Sequence, residues 1–144
     1  MKEELITFET AKLAKRKGFN EESFYCYNSE GGLVKPYEEN GSSTDTEFRV
    51  ELDDLLDYHN SKHNNTFSAL TQSLLSKWLR DKHNILISVY SNASGYLWEA
   101  MKAVGGTTMR WSEYEGDDEE SGTYTTYEKA MEDALQYALQ TIKK

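Results

Sequence analysis

The alternation of apolar and polar positions is clearest from residue 68 to residue 108. Leu70, Leu74, Leu75, Trp78 and Leu79 recur at helical spacing and predict one apolar stripe. Ser68 is the expected N-cap, because its hydroxyl can accept from an amide the first turn leaves free. Gln72, Ser73, Ser76, Lys77, Arg80 and Asp81 fall mostly off the stripe, and Lys77, Arg80, Lys82 and His83 gather at the carbonyl end. Asn84 ends this helix. Ile85, Ile87 and Val89 then alternate with Leu86, Ser88 and Tyr90, a β pattern. Residues 92–95 supply a turn. Tyr96, Trp98 and Ala100 alternate with Leu97, Glu99 and Met101 in a second strand. Gly105-Gly106 signals a two-residue hairpin, since both positions tolerate positive φ. Residues 107–114 read as a third strand, with Met109 and Trp111 on one face and Arg110 and Ser112 on the other. The stretch is a helix feeding an antiparallel meander.

Two further helices flank it. Thr7 caps the first, Phe8, Ala11, Leu13 and Ala14 form its short apolar face, and Gly18-Phe19 stops it. So short a helix needs Phe8 and Phe19 docked on something else. Residues 23–28 read as a strand, with Phe24, Cys26 and Asn28 on one face and Tyr25 and Tyr27 on the other. Glu30-Gly31-Gly32 is a turn into a partner strand over 33–37, which Pro36 confines to an edge. Residues 38–46 form a polar loop, and residues 47–60 read as a short strand or extended entry followed by a helix to about Tyr58. After the meander comes an acidic connector at 113–122. Thr125 caps the last helix, with Glu128 completing a capping box, and Tyr127, Ala130, Met131, Ala134, Leu135, Ala138 and Ile142 form its stripe. The expected fold is α+β: one domain over 1–144, an antiparallel meander with helices on one face, in the order α-β-β-(α)-α-β-β-β-α.

The run TQSLLSKWLRDKHNI (71–85), in outline TQSLLxKWLRxKHNI, resembles a family of small uncharacterised proteins of phages and prophages of Bacteroidetes hosts. The opening ELITFETAKLAKRKGF and the closing TYEKAMEDALQYALQTIKK resemble that family's two ends. The likeness spans both termini and the middle, and is weakest over 38–65. It implies a setting and no mechanism.

Composition narrows the function. At 144 residues, 38% hydrophobic and 12% aromatic, the chain can bury a core. Sixteen basic against 25 acidic residues leave a net charge of −9, which argues against broad nucleic-acid binding through phosphates. There is no apolar run of the roughly 18 residues a membrane helix needs, and the mixed-charge N-terminus has no secretory core. The expected location is the host cytoplasm. Cys26 is the only cysteine, so neither an internal disulfide nor a cysteine zinc cage can form.

Candidate chemistry is sparse. Asp117, Asp118, Glu119 and Glu120 carry hard oxygen ligands, but their spacing is not that of a calcium loop, and a solvated loop explains them. His59 and His63 stand four apart near Asp57, in a segment whose composition ends helices. His83 sits at a helix end that favours its proton. Cys26 lies in an aromatic strand with no base that the sequence can place beside it. No phosphate loop, dinucleotide fingerprint or hydrolase motif is present, so no enzyme, cofactor or metal is expected.

The aromatics point elsewhere. Ten tyrosines and three tryptophans are many for this length, and both faces of the meander carry large apolar groups. Helices cover one face; a second apolar face calls for a partner, which suggests a homo-oligomer. Alternatively Arg80, Tyr90, Tyr96, Trp98, Arg110 and Trp111 line a ligand site, since rings stack on bases and arginine holds phosphate. The sequence thus supports a non-catalytic, self-associating interaction protein. Two alternatives stand beside it. One is a phage counter-defence protein that sequesters a nucleotide-like small molecule or blocks a host protein. The other is a small metal-dependent hydrolase using Asp117, Asp118 and His59.

Overall fold

A computed structural model describes residues 4–21, 25–34, 66–112 and 123–143. The polar loop at 38–46, the expected strand-then-helix at 47–60, the acidic connector at 113–122, and with them His59, His63, Asp117 and Asp118, lie outside the described residues. The described elements run α1 (Phe8–Arg16), β1 (Tyr25–Tyr27), β2 (Leu33–Val34), β3 (Phe67–Ala69), α2 (Gln72–His83), β4 (Ile85–Asn92), β5 (Gly95–Lys102), β6 (Thr108–Trp111) and α3 (Tyr127–Thr141). The fold is α+β with antiparallel sheets. The chain gathers into two compact units, residues 5–70 and residues 1–4 with 71–144.

In the unit of residues 5–70, α1 begins as its sequence dictates. The Thr7 hydroxyl accepts from the Thr10 amide at 3.3 Å. The helix ends at Gly18, with φ +97°, and the Phe19 amide folds back to the Ala14 carbonyl at 3.0 Å. That left-handed turn buries Phe19, only 1% exposed. Phe8 docks edge-on against Tyr27 and Phe67, ring centres 5.7 and 5.6 Å away. The sheet order is β2-β1-β3, antiparallel throughout. Its third strand corrects the sequence reading. Ser68 caps no helix; it pairs with Cys26 inside the sheet and is buried. The helix cap is Thr71, whose hydroxyl accepts from the Leu74 amide at 3.1 Å. Two hydroxyls three residues apart offered two caps, and pairing with β1 consumed the first. The Tyr27 hydroxyl donates to the Ile6 carbonyl at 2.6 Å, and the Lys15 ammonium to the Thr66 carbonyl at 2.8 Å, over the Phe67 ring.

In the second unit, α2 and α3 pack on each other and on one face of the meander β4-β5-β6. Leu75, Trp78 and Leu79 are buried along α2, while Leu74 is 36% exposed at the stripe's edge. Gln72, expected off the stripe, is buried too. Its amide donates to the Glu128 carbonyl at 2.9 Å and to Glu132 Oε1 at 3.1 Å on α3, which satisfies a polar group inside the packing. The cap of α3 is Thr126, not Thr125: its hydroxyl accepts from the Lys129 amide at 3.1 Å. Glu128 lies in the first turn as expected, where a carboxylate suits the helix dipole.

Asn84 closes α2 in the left-handed conformation, φ +57°, its amide donating to the Leu79 carbonyl. It also anchors the next hairpin. Its carbonyl accepts from the Ala103 amide at 3.0 Å and its Oδ1 from the Val104 amide at 2.7 Å. The β5–β6 connection is therefore longer than the two residues Gly105-Gly106 suggested. Strand pairing stops at Lys102 and resumes at Thr108, because Ala103 and Val104 are tied to the helix end. Both glycines keep positive φ within that loop.

Candidate functional site: the open face of the meander

Pairing between β4 and β5 runs without a break from Ile85–Lys102 to Asn92–Gly95. Side chains opposite one another share a face. Ile85, Ile87 and Val89 thus stand with Ala100 and Trp98 on the helix side, where Ile85, Ile87, Ala100 and Trp98 are buried. Leu86, Ser88 and Tyr90 stand with Met101, Glu99 and Leu97 on the other side. The register with β6 shifts between Ala100 and Met101, leaving two residues of β6 to match one of β5. Such a bulge turns neighbouring side chains to the same side. Met109 therefore joins Arg110 on the helix side and does not share a face with Trp111, contrary to the simple alternation. Trp111, opposite Glu99, belongs to the other side.

That other side is an apolar surface of Leu86, Tyr90, Leu97, Met101 and Trp111. Tyr90 is 43% and Trp111 51% exposed. Within this unit, no described helix or strand covers it. Its one carboxylate, Glu99, accepts from the Thr108 hydroxyl at 2.6 Å. Burial, with Glu99 nearby, pushes the Tyr90 phenol above its ordinary pKa of 10.0, so the group is a neutral hydroxyl at physiological pH.

The six residues predicted to line a ligand site divide three ways. Tyr90 and Trp111 lie on this open face. Tyr96, Trp98 and Arg110 lie on the helix side. Trp98 is 0% exposed, its indole donating to the Tyr124 hydroxyl at 3.3 Å and its ring resting 5.4 Å from Tyr137. The Arg110 guanidinium lies 5.5 Å from the centre of the Tyr137 ring. Tyr96 packs edge-on against Tyr127. Arg80 is on the exposed side of α2, ion-paired at 3.4 Å with Asp81, which also pairs with Lys77. These two cations hold the Asp81 carboxyl below its usual range. Leu86, Leu97 and Met101 were missing from the predicted list. Alternation along β4 signals Leu86, four positions from Tyr90, but Leu97 and Met101 stand an odd number of positions from Tyr96 and Trp98, and only the β4–β5 register places them on the face of Tyr90.

Cys26 is buried at 4% exposure, and desolvation pushes its thiol up to about 11, so it is not a thiolate at neutral pH. His83 lies 4.6 Å from the Trp78 ring, and desolvation lowers its pKa below 6.5. The sequence reading, which set this proton against the helix end alone, left out the loss of water. Among the described residues no helix is long and apolar enough to cross a membrane. No family model matches the chain, and neither does any curated protein or solved structure.

Proposed function

We propose that this chain is a non-catalytic interaction protein of phage or prophage setting, acting in the host cytoplasm, that associates with a second copy of itself through the open face of the meander. The observation that carries this reading is the apolar face opposite the helices, with Tyr90 43% and Trp111 51% exposed on it. Large uncovered apolar surface marks a contact site, and aromatic residues are the usual anchors of one.

The sheet edges favour a second copy as the partner. On the β6 edge, a bulge breaks the register, and the Tyr124 backbone pairs with Tyr96 beyond it, at 2.9 and 2.8 Å. On the β4 edge stand eight residues, ILISVYSN, with no charge, no proline and no bulge, paired among the described strands only with β5. Soluble proteins ordinarily protect such an edge. Two identical strands can pair antiparallel about a two-fold axis, which would also bring the two apolar faces into one surface.

Sedimentation equilibrium of the full chain tests this. A dimer is expected, and Tyr90→Ser with Trp111→Ser should weaken it by about a hundredfold, on the order of 3 kcal/mol, while thermal stability stays close to the parent. A strictly monomeric parent chain overturns the proposal.

A second reading is sequestration of a nucleotide-like ligand, which draws on Arg110 against the Tyr137 ring. It predicts that added ATP or a cyclic dinucleotide changes Trp98 fluorescence in a saturable way, an effect the self-association reading does not require.

A further inference from the structure

A second feature of the same unit lies at the far end of the sheet, where α2 and α3 both finish. His83, Ile85, Lys102, Met109, Thr141, Ile142 and Lys143 line a cavity of about 240 Å³. Ile85, Met109 and Ile142 supply apolar walls, Thr141 a hydroxyl, and His83, Lys102 and Lys143 are the basic residues. No acidic residue lines it, in a chain whose net charge is −9. Lys102 and Lys143 form no ion pair among the described residues.

The bland explanation is that basic residues complement helix ends. The magnitudes limit it. Each helix end carries roughly half a negative charge, about one in total for two ends, and the two lysines bring about two positive charges, with His83 left out because desolvation lowers its pKa. Lys102, moreover, is on β5 and belongs to no helix. The surplus is positive. The walls are held in place: Asn84 ties the end of α2 to Ala103 and Val104, next to Lys102, and the β6 bulge turns Met109 inward.

We propose that this cavity binds a small organic anion, an apolar body seated on Ile85, Met109 and Ile142 with its acidic head between Lys102 and Lys143. The volume is below the ~300–1,000 Å³ usual for drug-sized ligands, so the body is no larger than one ring or a branched chain. A carboxylate and a phosphate monoester share the required chemistry. The site is separate from the open face, and its fate does not depend on self-association.

The test uses the full chain, with benzoate and phenyl phosphate as probes and benzyl alcohol as the neutral control. Amide shifts of His83, Ile85 and Lys102 are followed by NMR up to about 10 mM ligand, a concentration that detects even weak binding. The expected result is saturable shifts with at least one anion, none with the alcohol, and affinity about tenfold weaker in Lys102→Gln with Lys143→Gln. Both lysines are exposed, so the variant keeps its fold, and an unchanged amide spectrum elsewhere verifies that. The tighter of the two anions identifies the head group. Absence of saturable shifts, equal binding of the alcohol, or unchanged affinity in the double variant overturns the proposal.

Discussion

At the scale of single residues, environment decided what each side chain does more than its type did. His83 illustrates this. A helix C-terminus raises the affinity of an imidazole for a proton, and the packing beside the Trp78 ring lowers it by desolvation. The consequence for stability has a definite sign. The folded imidazole is the weaker base, so below 6.5 the unfolded chain takes up more protons than the folded one. This group's contribution is complete above pH 6.5 and is lost as pH falls through that value toward the depressed folded one. An NMR titration of the His83 ring should give a midpoint below 6.5, and a midpoint above it would put the helix end in command. Cys26 follows the same logic. Its burial in the β1 strand, suggested by the aromatic neighbours Tyr25 and Tyr27, keeps it from acting as a nucleophile at neutral pH.

At the scale of elements, the joints are more informative than the elements. The helices and the long strands β4 and β5 were legible, because periods of 3.6 and 2 persist through them. Boundaries were not, wherever two neighbouring residues could play one role. Ser68 and Thr125 were the expected caps and Thr71 and Thr126 are the actual ones; for the first pair, strand pairing with Cys26 claimed Ser68. Gly95 is a joint of another kind. It begins β5 with φ +147°, and a Cβ there would lie 2.5 Å from the Tyr124 carbonyl oxygen. That carbonyl accepts from the Tyr96 amide, so the close approach ties the strand to the segment leading into α3. Gly95→Ala combines a disfavoured backbone angle with a backbone clash. It should cost about 1–3 kcal/mol in urea unfolding, with dissociation of the Tyr96–Tyr124 pairing visible as faster amide exchange at both residues. A loss under about 0.5 kcal/mol would show that the segment moves aside freely.

At the scale of the whole molecule, charge opposes the proposed assembly. Each copy carries −9, and two such copies repel. The proposed contact is apolar and uncharged apart from Glu99, so salt screens the repulsion without weakening the contact. Self-association should therefore tighten as sodium chloride rises from about 50 mM to about 500 mM. An assembly that loosens over that range is held by ion pairs and not by the open face. The two proposed contacts should therefore respond to salt in opposite directions, since anion binding between Lys102 and Lys143 should weaken with salt.

What the sequence determined by itself was everything set by local periodicity and composition: an α+β chain, a helix running straight into an antiparallel meander, a closing amphipathic helix, and an aromatic excess too large for one sheet face. These follow from near-neighbour sterics and side-chain spacing, which the order of residues states directly. What only the tertiary structure decided was which residues meet across distance. The β6 bulge separated Met109 from Trp111, the β1–β3 pairing claimed Ser68, and the register of β4 with β5 sent Tyr90 and Trp98 to opposite faces. Pairing register and helix docking depend on contacts between segments far apart in the chain. No local pattern carries that information, and the candidate site is built from it.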